Sequence, residues 1–360
     1  MDVLSDVLRV VRMSGAVFFT AEFSSPWALE SPNPDLLASV VIPKAECIVL
    51  FHILTSGECT VGCEGLPKVK MQAGDVIIFP HGDPHVMCSP NGAKPTPINS
   101  VFFPGSPDEI PKVSFGGGGE KSHFICGYLN CDQRFNLLIG ALPTMLLVRS
   151  RDDYRAVEAV DHGGVRPARV PQSSSSWLST TLKFTVNEAK TARPGNAAML
   201  GRLAELMFVE ILRQYMQQLP TRQGEWLAGL NDAHVGKALR LMHAHPEWNW
   251  TVSQLAREAG VSRSALAERF AQLVGQSPMR YLVGWRIQLA KQMLRDASSS
   301  IAEVATQVGY DSDAAFNRAF KRLEGSPPAA WRKGAIGAVI CTLAFLMNLQ
   351  PWLEMASAVS

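Results

Sequence analysis

The chain has 360 residues, enough for two or three domains that each bury a core, and its 47% hydrophobic and 18% charged residues exclude wholesale disorder. The formal net charge of +2 conceals an asymmetry: residues 231–333 carry 14 Lys and Arg against 9 Asp and Glu, while the remainder is net acidic. Basic charge gathered in one segment is the footprint of a module that neutralises phosphates. The seven cysteines follow no regular framework, and the first residues lack the basic start, apolar run and small-residue cleavage site of a secretory leader. The expectation is a cytoplasmic protein with reduced thiols.

Residues 1–150 are rich in Pro, Gly and β-branched residues. Short apolar runs, Cys47–Ile53 and Val76–Phe79, are bounded by the turn signals Ser56-Gly57, Ala73-Gly74-Asp75 and Gly82-Asp83-Pro84. Closely spaced short strands of this kind predict a β-sandwich or barrel. Gly116–Gly119 reads as a loop, and residues 151–176, with Gly163-Gly164, Pro167, Pro171 and a serine run, as a linker or insertion. A helical connector over residues 177–230 follows. Trp177, Leu178, Thr181, Leu182 and Phe184 form one expected face. A second helix starts at Pro194-Gly195-Asn196, with Leu200, Leu203, Leu206, Met207, Ile211 and Tyr215 as its stripe. That stripe is either a dimer interface or the face packed on the β domain.

The strongest signal is an internal duplication in residues 231–333. The segment Val252-Ser-Gln-Leu255-Ala256-Arg-Glu-Ala259-Gly260-Val261 recurs as Ile301-Ala-Glu-Val304-Ala305-Thr-Gln-Val308-Gly309-Tyr310. After one extra residue the register continues, with Leu266, Phe270, Gly275, Pro278 and Tyr281 matching Phe316, Phe320, Gly325, Pro328 and Trp331. Each copy predicts a helix-turn-helix: a short helix with one buried stripe, a glycine that ends it, a cap (Ser262 or Asp311) and a second helix. The second helix packs back through Leu266, Phe270 and Leu273, or Phe316, Phe320 and Leu323, and leaves its opposite face free for a major groove. Pro278–Arg295 reads as one long helix whose Tyr281, Leu282, Trp285, Leu289, Met293 and Leu294 brace both units.

These residues closely resemble the DNA-binding half of the AraC/XylS-type regulators. The resemblance is carried by Leu255-Ala-x-x-Ala259-Gly-Val-Ser-x-Ser-x-Leu-x-x-Arg-Phe270 and Gly275-x-x-Pro278-x-x-Tyr281-Leu282. The second unit adds Phe316-x-Arg318-Ala319-Phe320-Lys321 and Gly325-x-Pro327-Pro328-x-x-Trp331-Arg332. The resemblance implies that two recognition helices enter successive segments of major groove. Mapped onto this chain, the groove-facing residues are Arg263, Ser264, Ala267 and Glu268 in the first helix, and Asp313, Ala314, Asn317 and Arg318 in the second. By chemistry Arg318 suits guanine, Asn317 adenine and Glu268 cytosine N4, while Ala267 and Ala314 offer apolar contact. Arg263, Lys321 and Arg322 suit phosphates. Arg269 is either a DNA contact or half of a surface ion pair.

Gly74-x5-Pro80-x-Gly82-x2-His85 resembles the second half-motif of the cupin barrel. The first half-motif of cupin enzymes, His-x-His with a downstream Glu, is absent: only His52 stands there, with Glu58 and Glu64 at unsuitable spacings. This argues against a redox or isomerase centre, and the chain reads as a regulator, not an enzyme. A mixed zinc site of His52, His81, His85 and Cys126 is one expectation for the barrel, since imidazole and thiolate are good zinc ligands. Turn-capping histidines with a buried core cysteine are another, and a thiol sensor of Cys126 and Cys131 a third. The fold class expected is α+β multidomain: a cupin-like β-barrel (1–150), a helical connector, and an all-α tandem helix-turn-helix domain (231–333). Expected partners are double-stranded DNA, a second copy as homodimer, a small-molecule effector and RNA polymerase. Residues 334–360 form an apolar tail. Ala335–Leu353 is uncharged, but Asn348, Gln350 and Pro351 interrupt it, so a docked or poorly ordered tail is expected over a membrane anchor. The alternatives are a cupin enzyme fused to a DNA-binding module and a membrane-tethered regulator.

Overall fold

A computed structural model describes residues 3–10, 13–31, 47–101, 110–131, 137–150, 155–166, 175–191, 193–218, 226–295 and 299–334. The expected tail, 335–360, lies outside the described residues. Among them no helix is long and apolar enough to cross a membrane. The chain divides into two compact units, Val11–Ala228 and a second that joins Met1–Val10 to Gly229–Ser360.

Among the described residues the first unit has thirteen strands: β1 (Met13–Ser24), β2 (Ala28–Glu30), β3 (Cys47–Ser56), β4 (Glu58–Cys63), β5 (Val69–Gln72), β6 (Val76–Phe79), β7 (His85–Cys88), β8 (Thr96–Pro97), β9 (Lys112–Gly116), β10 (Lys121–Cys131), β11 (Met145–Ser150), β12 (Arg155–Asp161) and β13 (Gly164–Arg166). They form an eight-stranded sheet in the order β13-β12-β11-β6-β3-β10-β1-β9 and a five-stranded sheet in the order β5-β4-β7-β2-β8. The two-residue period of β3 sends Leu50, His52 and Leu54 to the interior and Val49, Phe51 and Ile53 to the other face. The interior is apolar, closed by Phe23, Trp27 and Phe124, whose ring centroids lie 4.9–5.7 Å apart.

The expected linker at 151–176 is corrected in part. Residues 155–166 form the hairpin β12–β13, which pairs with β11 and extends the large sheet. Val157 and Val160 are buried, and of Gly163-Gly164, read from the sequence as a linker signal, the first closes the hairpin turn with His162 and the second opens β13. Besides the short helical turn Leu137–Gly140, the unit carries two longer helices, α2 (Ser175–Glu188) and α3 (Asn196–Gln218). Leu178, Leu182, Ala204, Met207, Phe208 and Ile211 face Val49, Phe51, Ile53, Val76, Ile78 and Leu129 of the outer sheet surface. Gly15 of β1 lies so close to α3 that a Cβ there would sit 2.5 Å from the Gly201 carbonyl. The expected face of α2 is rotated: Leu178, Thr181, Leu182 and Thr185 are buried, whereas Trp177 and Phe184 are exposed. On α3, Leu206 is likewise exposed while Leu200, Met207, Ile211 and Tyr215 are buried.

The second unit contains α4 (Trp226–Asn231, whose first residues belong to the first unit), α5 (Val235–Ala244), α6 (Val252–Ala259), α7 (Arg263–Val274), α8 (Pro278–Arg295), α9 (Ile301–Gln307) and α10 (Asp313–Glu324). It also takes α1 (Val3–Val10), which packs on α5 and α8 and buries Val3, Leu4 and Val7. By its packing this amino-terminal helix groups with the second unit, whereas the sequence alone places it in one domain with the rest of residues 1–150. Beside it His243 is buried, stacks on Trp285 at 4.0 Å and lies 2.7 Å from the Tyr281 hydroxyl. Its Nδ1 is 3.8 Å from the Asp6 carboxylate, yet burial lowers its pKa to about 3, so the ring is neutral.

Candidate nucleic-acid interface

The two halves of the duplication fold alike. Thr251 caps α6 and Ser300 caps α9, each in a reciprocal box with the residue three positions on, Gln254 and Glu303. The recognition helices are capped by Ser262, which accepts from the Ala265 amide, and by Ser312, which accepts from the Ala315 amide. The cap of the second helix is therefore Ser312 and not the expected Asp311. The serine reproduces the β-region backbone and short hydroxyl of Ser262 one residue later, in step with the extra residue of the second turn. The repeat extends to ring geometry: Phe270 meets Tyr281 edge-on at 5.8 Å and 75°, and Phe320 meets Trp331 at 6.0 Å and 73°.

Burial of Leu266, Phe270 and Leu273 turns the opposite face of α7 outward, where Arg263, Ser264 and Glu268 are exposed and Ala267 is half-buried. On α10 the buried pair Phe316 and Phe320 exposes Asp313, Ala314, Arg318, Lys321 and Arg322, with Asn317 half-buried. Two of these side chains are engaged within their own helix. Asn317 Nδ2 donates to the Asp313 carbonyl at 2.7 Å, and Glu268 accepts from Gln272 at 3.3 Å. Leu323, expected in the packed stripe of α10, is exposed.

Arg269 proves to be an ion pair. Its Nε and Nη2 lie 2.7 and 2.6 Å from the buried carboxylate of Asp232. Asp232 also accepts the amides of His234 and Val235 at the start of α5. Burial alone would raise this carboxyl, but the hydrogen bonds from Arg269, Val235 and His234 hold it below its ordinary range. In the second helix-turn-helix the corresponding anchor is deeper. Lys291 of α8 is fully buried, 2.8 Å from Glu324 at the end of α10, and its ammonium lies 5.5 Å over the Trp331 ring. Neither Asp232 nor Lys291 was marked by the sequence: a charge inside a helix reads as a solvated position until its partner is known.

In the first unit, three of the four proposed metal ligands meet in the interior. His52 Nδ1 is 3.0 Å from Cys126 Sγ, His52 Nε2 is 2.9 Å from His85 Nε2, and His85 Nδ1 is 2.8 Å from the Asp83 carbonyl. The hydrogens follow from these contacts. A carbonyl only accepts, so His85 carries its proton on Nδ1 and its bare Nε2 accepts from His52 Nε2–H. His52 Nδ1 is then bare and accepts the Cys126 S–H. Both rings are neutral: burial and the neighbouring His85 hold His52 well below the ordinary range, and burial lowers His85 to about 4. Burial also pushes the Cys126 thiol up. His85 lies flat on Phe79 at 3.7 Å.

The expected zinc set is not assembled. His81 turns away to the Leu142 carbonyl at 3.1 Å, and the two nitrogens of His52 point to different partners, so one ion cannot take both neighbours through it. Among the described residues no group of three His, Cys, Asp or Glu is arranged to hold a metal ion. The Cys131 side chain of the expected thiol pair lies outside the described residues.

Comparison with known proteins agrees with both halves. The family profile described as Cupin matches residues 2–162 and 166–217, and that described as Helix-turn-helix domain matches 255–334. An AraC-like transcription regulator of Streptomyces lividans is 30% identical over 92% of this chain and 98% of its own length. The transcriptional regulator AlkR of Acinetobacter baylyi is 24% identical over 92% of this chain and 99% of its own. Among solved structures, the DNA-binding domain of AdpA in complex with a target DNA is 31% identical, covering 29% of this chain and 92% of that one at a TM-score of 0.28. The chain belongs to the AraC-type DNA-binding transcription regulators, with a cupin unit joined to a paired helix-turn-helix unit.

Proposed function

We propose that α7 and α10 enter two successive segments of major groove on one face of a duplex. Arg318 reads guanine, Asn317 adenine and Glu268 cytosine, Ala267 and Ala314 touch thymine methyls, and Arg263, Lys321 and Arg322 hold phosphates. Ser264 and Asp313 lie at the first turn of each helix, where Asp313 also screens the groove against a badly placed phosphate. The observation that supports this reading is the shared arrangement of the two units: one face of each recognition helix is committed to core, and the other carries polar groups with no packing role. Asn317 and Glu268 exchange their contacts within the helix for contacts to bases.

Two copies act together. Trp177 and Phe184 on α2, with Met199 and Leu206 on α3, are large apolar side chains left exposed at seven-residue spacing, which suits a helical dimer face. The protein works in the cytoplasm on DNA, within reach of RNA polymerase. The cupin unit serves as sensor and not as enzyme. In support, each proton of the Cys126–His52–His85 chain is already committed to a neighbour, which leaves no free general base there. A small-molecule effector binds this unit and favours one of two presentations of the reading heads, through unequal affinity for them.

Hydroxyl-radical footprinting of the full chain on a duplex selected from a random library tests the reading. Two protected patches on one face, about one helical turn or ~34 Å apart, are expected. One patch, or protection independent of sequence, would contradict it. Full-length protein is required, because α1 is part of the DNA-binding unit.

A further inference from the structure

The long helix α8 carries a second buried cation besides Lys291. Arg286 is almost fully buried, and its three hydrogen bonds all go to backbone carbonyls. Nε donates to Pro246 at 2.6 Å, Nη2 to Trp248 at 2.8 Å and Nη1 to Gly309 at 2.8 Å. These acceptors lie ahead of the first copy of the repeat and within the second. Pro246 and Trp248 belong to the loop between α5 and α6, just ahead of the first helix-turn-helix. Gly309 is the turn of the second, four residues before α10 begins.

The two segments also touch directly. A Cβ on Gly309 would lie 2.6 Å from the Glu247 carbonyl and 2.7 Å from Arg286 Nη2. The loop is itself stiff: His245 stacks on Trp248 at 4.1 Å, and the Trp250 indole donates to the His245 carbonyl at 3.0 Å. On the other side, the guanidinium lies 5.6 Å over the Tyr310 ring, which packs at 5.4 Å on Phe316, the first buried residue of α10. A planar fork with fixed donor directions holds three carbonyls in one geometry, which a single rotating ammonium does not.

We propose that Arg286 is a positioning residue that fixes the spacing and rotational phase of the two recognition helices, and thereby the separation of DNA sub-sites that the protein accepts. The inference rests on the reading that both α7 and α10 enter grooves. Core packing holds each helix-turn-helix together internally, and Arg286 with the Glu247–Gly309 contact joins the loop ahead of the first to the turn of the second. Because the acceptors are carbonyls, the joint does not depend on the side chains of the loop it grips.

The test uses full-length protein and a duplex selected from a random library on that protein. Three forms of the duplex are compared: intact, with one base pair inserted between the two sub-sites, and with one sub-site scrambled. The insertion moves the second sub-site by ~3.4 Å and ~35°, and wild-type protein loses at least about tenfold in affinity. For Arg286→Ala, affinity for the intact duplex falls about tenfold, the insertion penalty shrinks to within about twofold, and binding to the scrambled duplex is unchanged. Arg286→Lys restores part of the insertion penalty. A cooperative far-ultraviolet circular-dichroism melt confirms that each variant is folded.

An undiminished insertion penalty in Arg286→Ala would overturn this proposal alone. So would an equal loss on intact and scrambled duplexes, which marks a purely structural residue. Selected duplexes that hold only one sub-site would overturn the groove reading and this proposal together.

Discussion

In the first helix-turn-helix the turn glycine, Gly260, looks onto open space, whereas its counterpart Gly309 lies against Glu247 and Arg286. The anchors differ in the same sense. The first unit is tied to α5 by Arg269, which is 51% exposed, and the second to α8 by Lys291, which is 2% exposed. The cores differ in chemistry, since the first contains neutral His243 against Tyr281 and Trp285 while residues 299–334 contain no histidine. Identical local signals thus specify two units of the same shape. Their long-range anchorage is unequal: the second unit is held at both ends of its recognition helix by α8, through Arg286 at the preceding turn and Lys291 at its exit.

The largest effect that follows is at Lys291. Lys291→Ala leaves Glu324, whose side chain is only 11% exposed, without its partner and costs about 3–5 kcal/mol, read as a shift in the urea midpoint at constant slope. The same shift for Arg269→Ala would remove the difference in anchorage. Next comes the glycine pair. Gly309→Ala combines a left-handed backbone with a collision and costs about 2–4 kcal/mol, against about 1–2 kcal/mol for Gly260→Ala, which meets only the backbone term. Equal losses would mean that the contact with Glu247 carries no energy.

Acid sharpens the comparison further. The His243 pKa is lowered from 6.5 to about 3 on folding, so its contribution is full above pH 6.5 and is lost as pH falls toward 3. At pH 5 the unit that holds it is weaker by about 2 kcal/mol. Amide exchange near α5 and α8 therefore accelerates on acidification before that of α9 and α10, and His243→Gln flattens the dependence. The smallest effect is Arg269→Ala, about 1 kcal/mol, because the partner of Asp232 is half exposed and two amides remain.

The parts legible in the sequence were those set by neighbours along the chain: the cap at Ser262, the helix bounds of Pro278–Arg295, the turn glycines and the stripe from Leu266 to Leu273. The hidden parts depend on distant partners. Val3, Leu4 and Val7 carry a helical stripe, yet nothing local says that it is buried by α5 and α8, which begin at Val235 and Pro278. Val157 and Val160 sit between an Asp pair and a Gly pair, and only the edge of β11 makes that segment a strand. His52, His85 and Cys126 were legible as residue types, but their arrangement as a hydrogen-bonded chain depends on strand register, which pairs His52 with Cys126. Arg286 and Lys291 look like solvated positions on an amphipathic helix, because a sequence pattern does not tell a buried cation with partners from an exposed one.

The central claim is that the exposed faces of both recognition helices read bases, and the most direct measurement compares Arg318→Ala with Arg269→Ala. Each full-length variant is titrated against the selected duplex and single-base variants of it, at fixed salt. Arg318→Ala is expected to lose about 1–3 kcal/mol and to relax preference at one base pair of the second sub-site. Arg269→Ala leaves base preference unchanged. A variant at Arg318 that binds more weakly by the same factor on every duplex, or a change of base preference in Arg269→Ala, would contradict that claim.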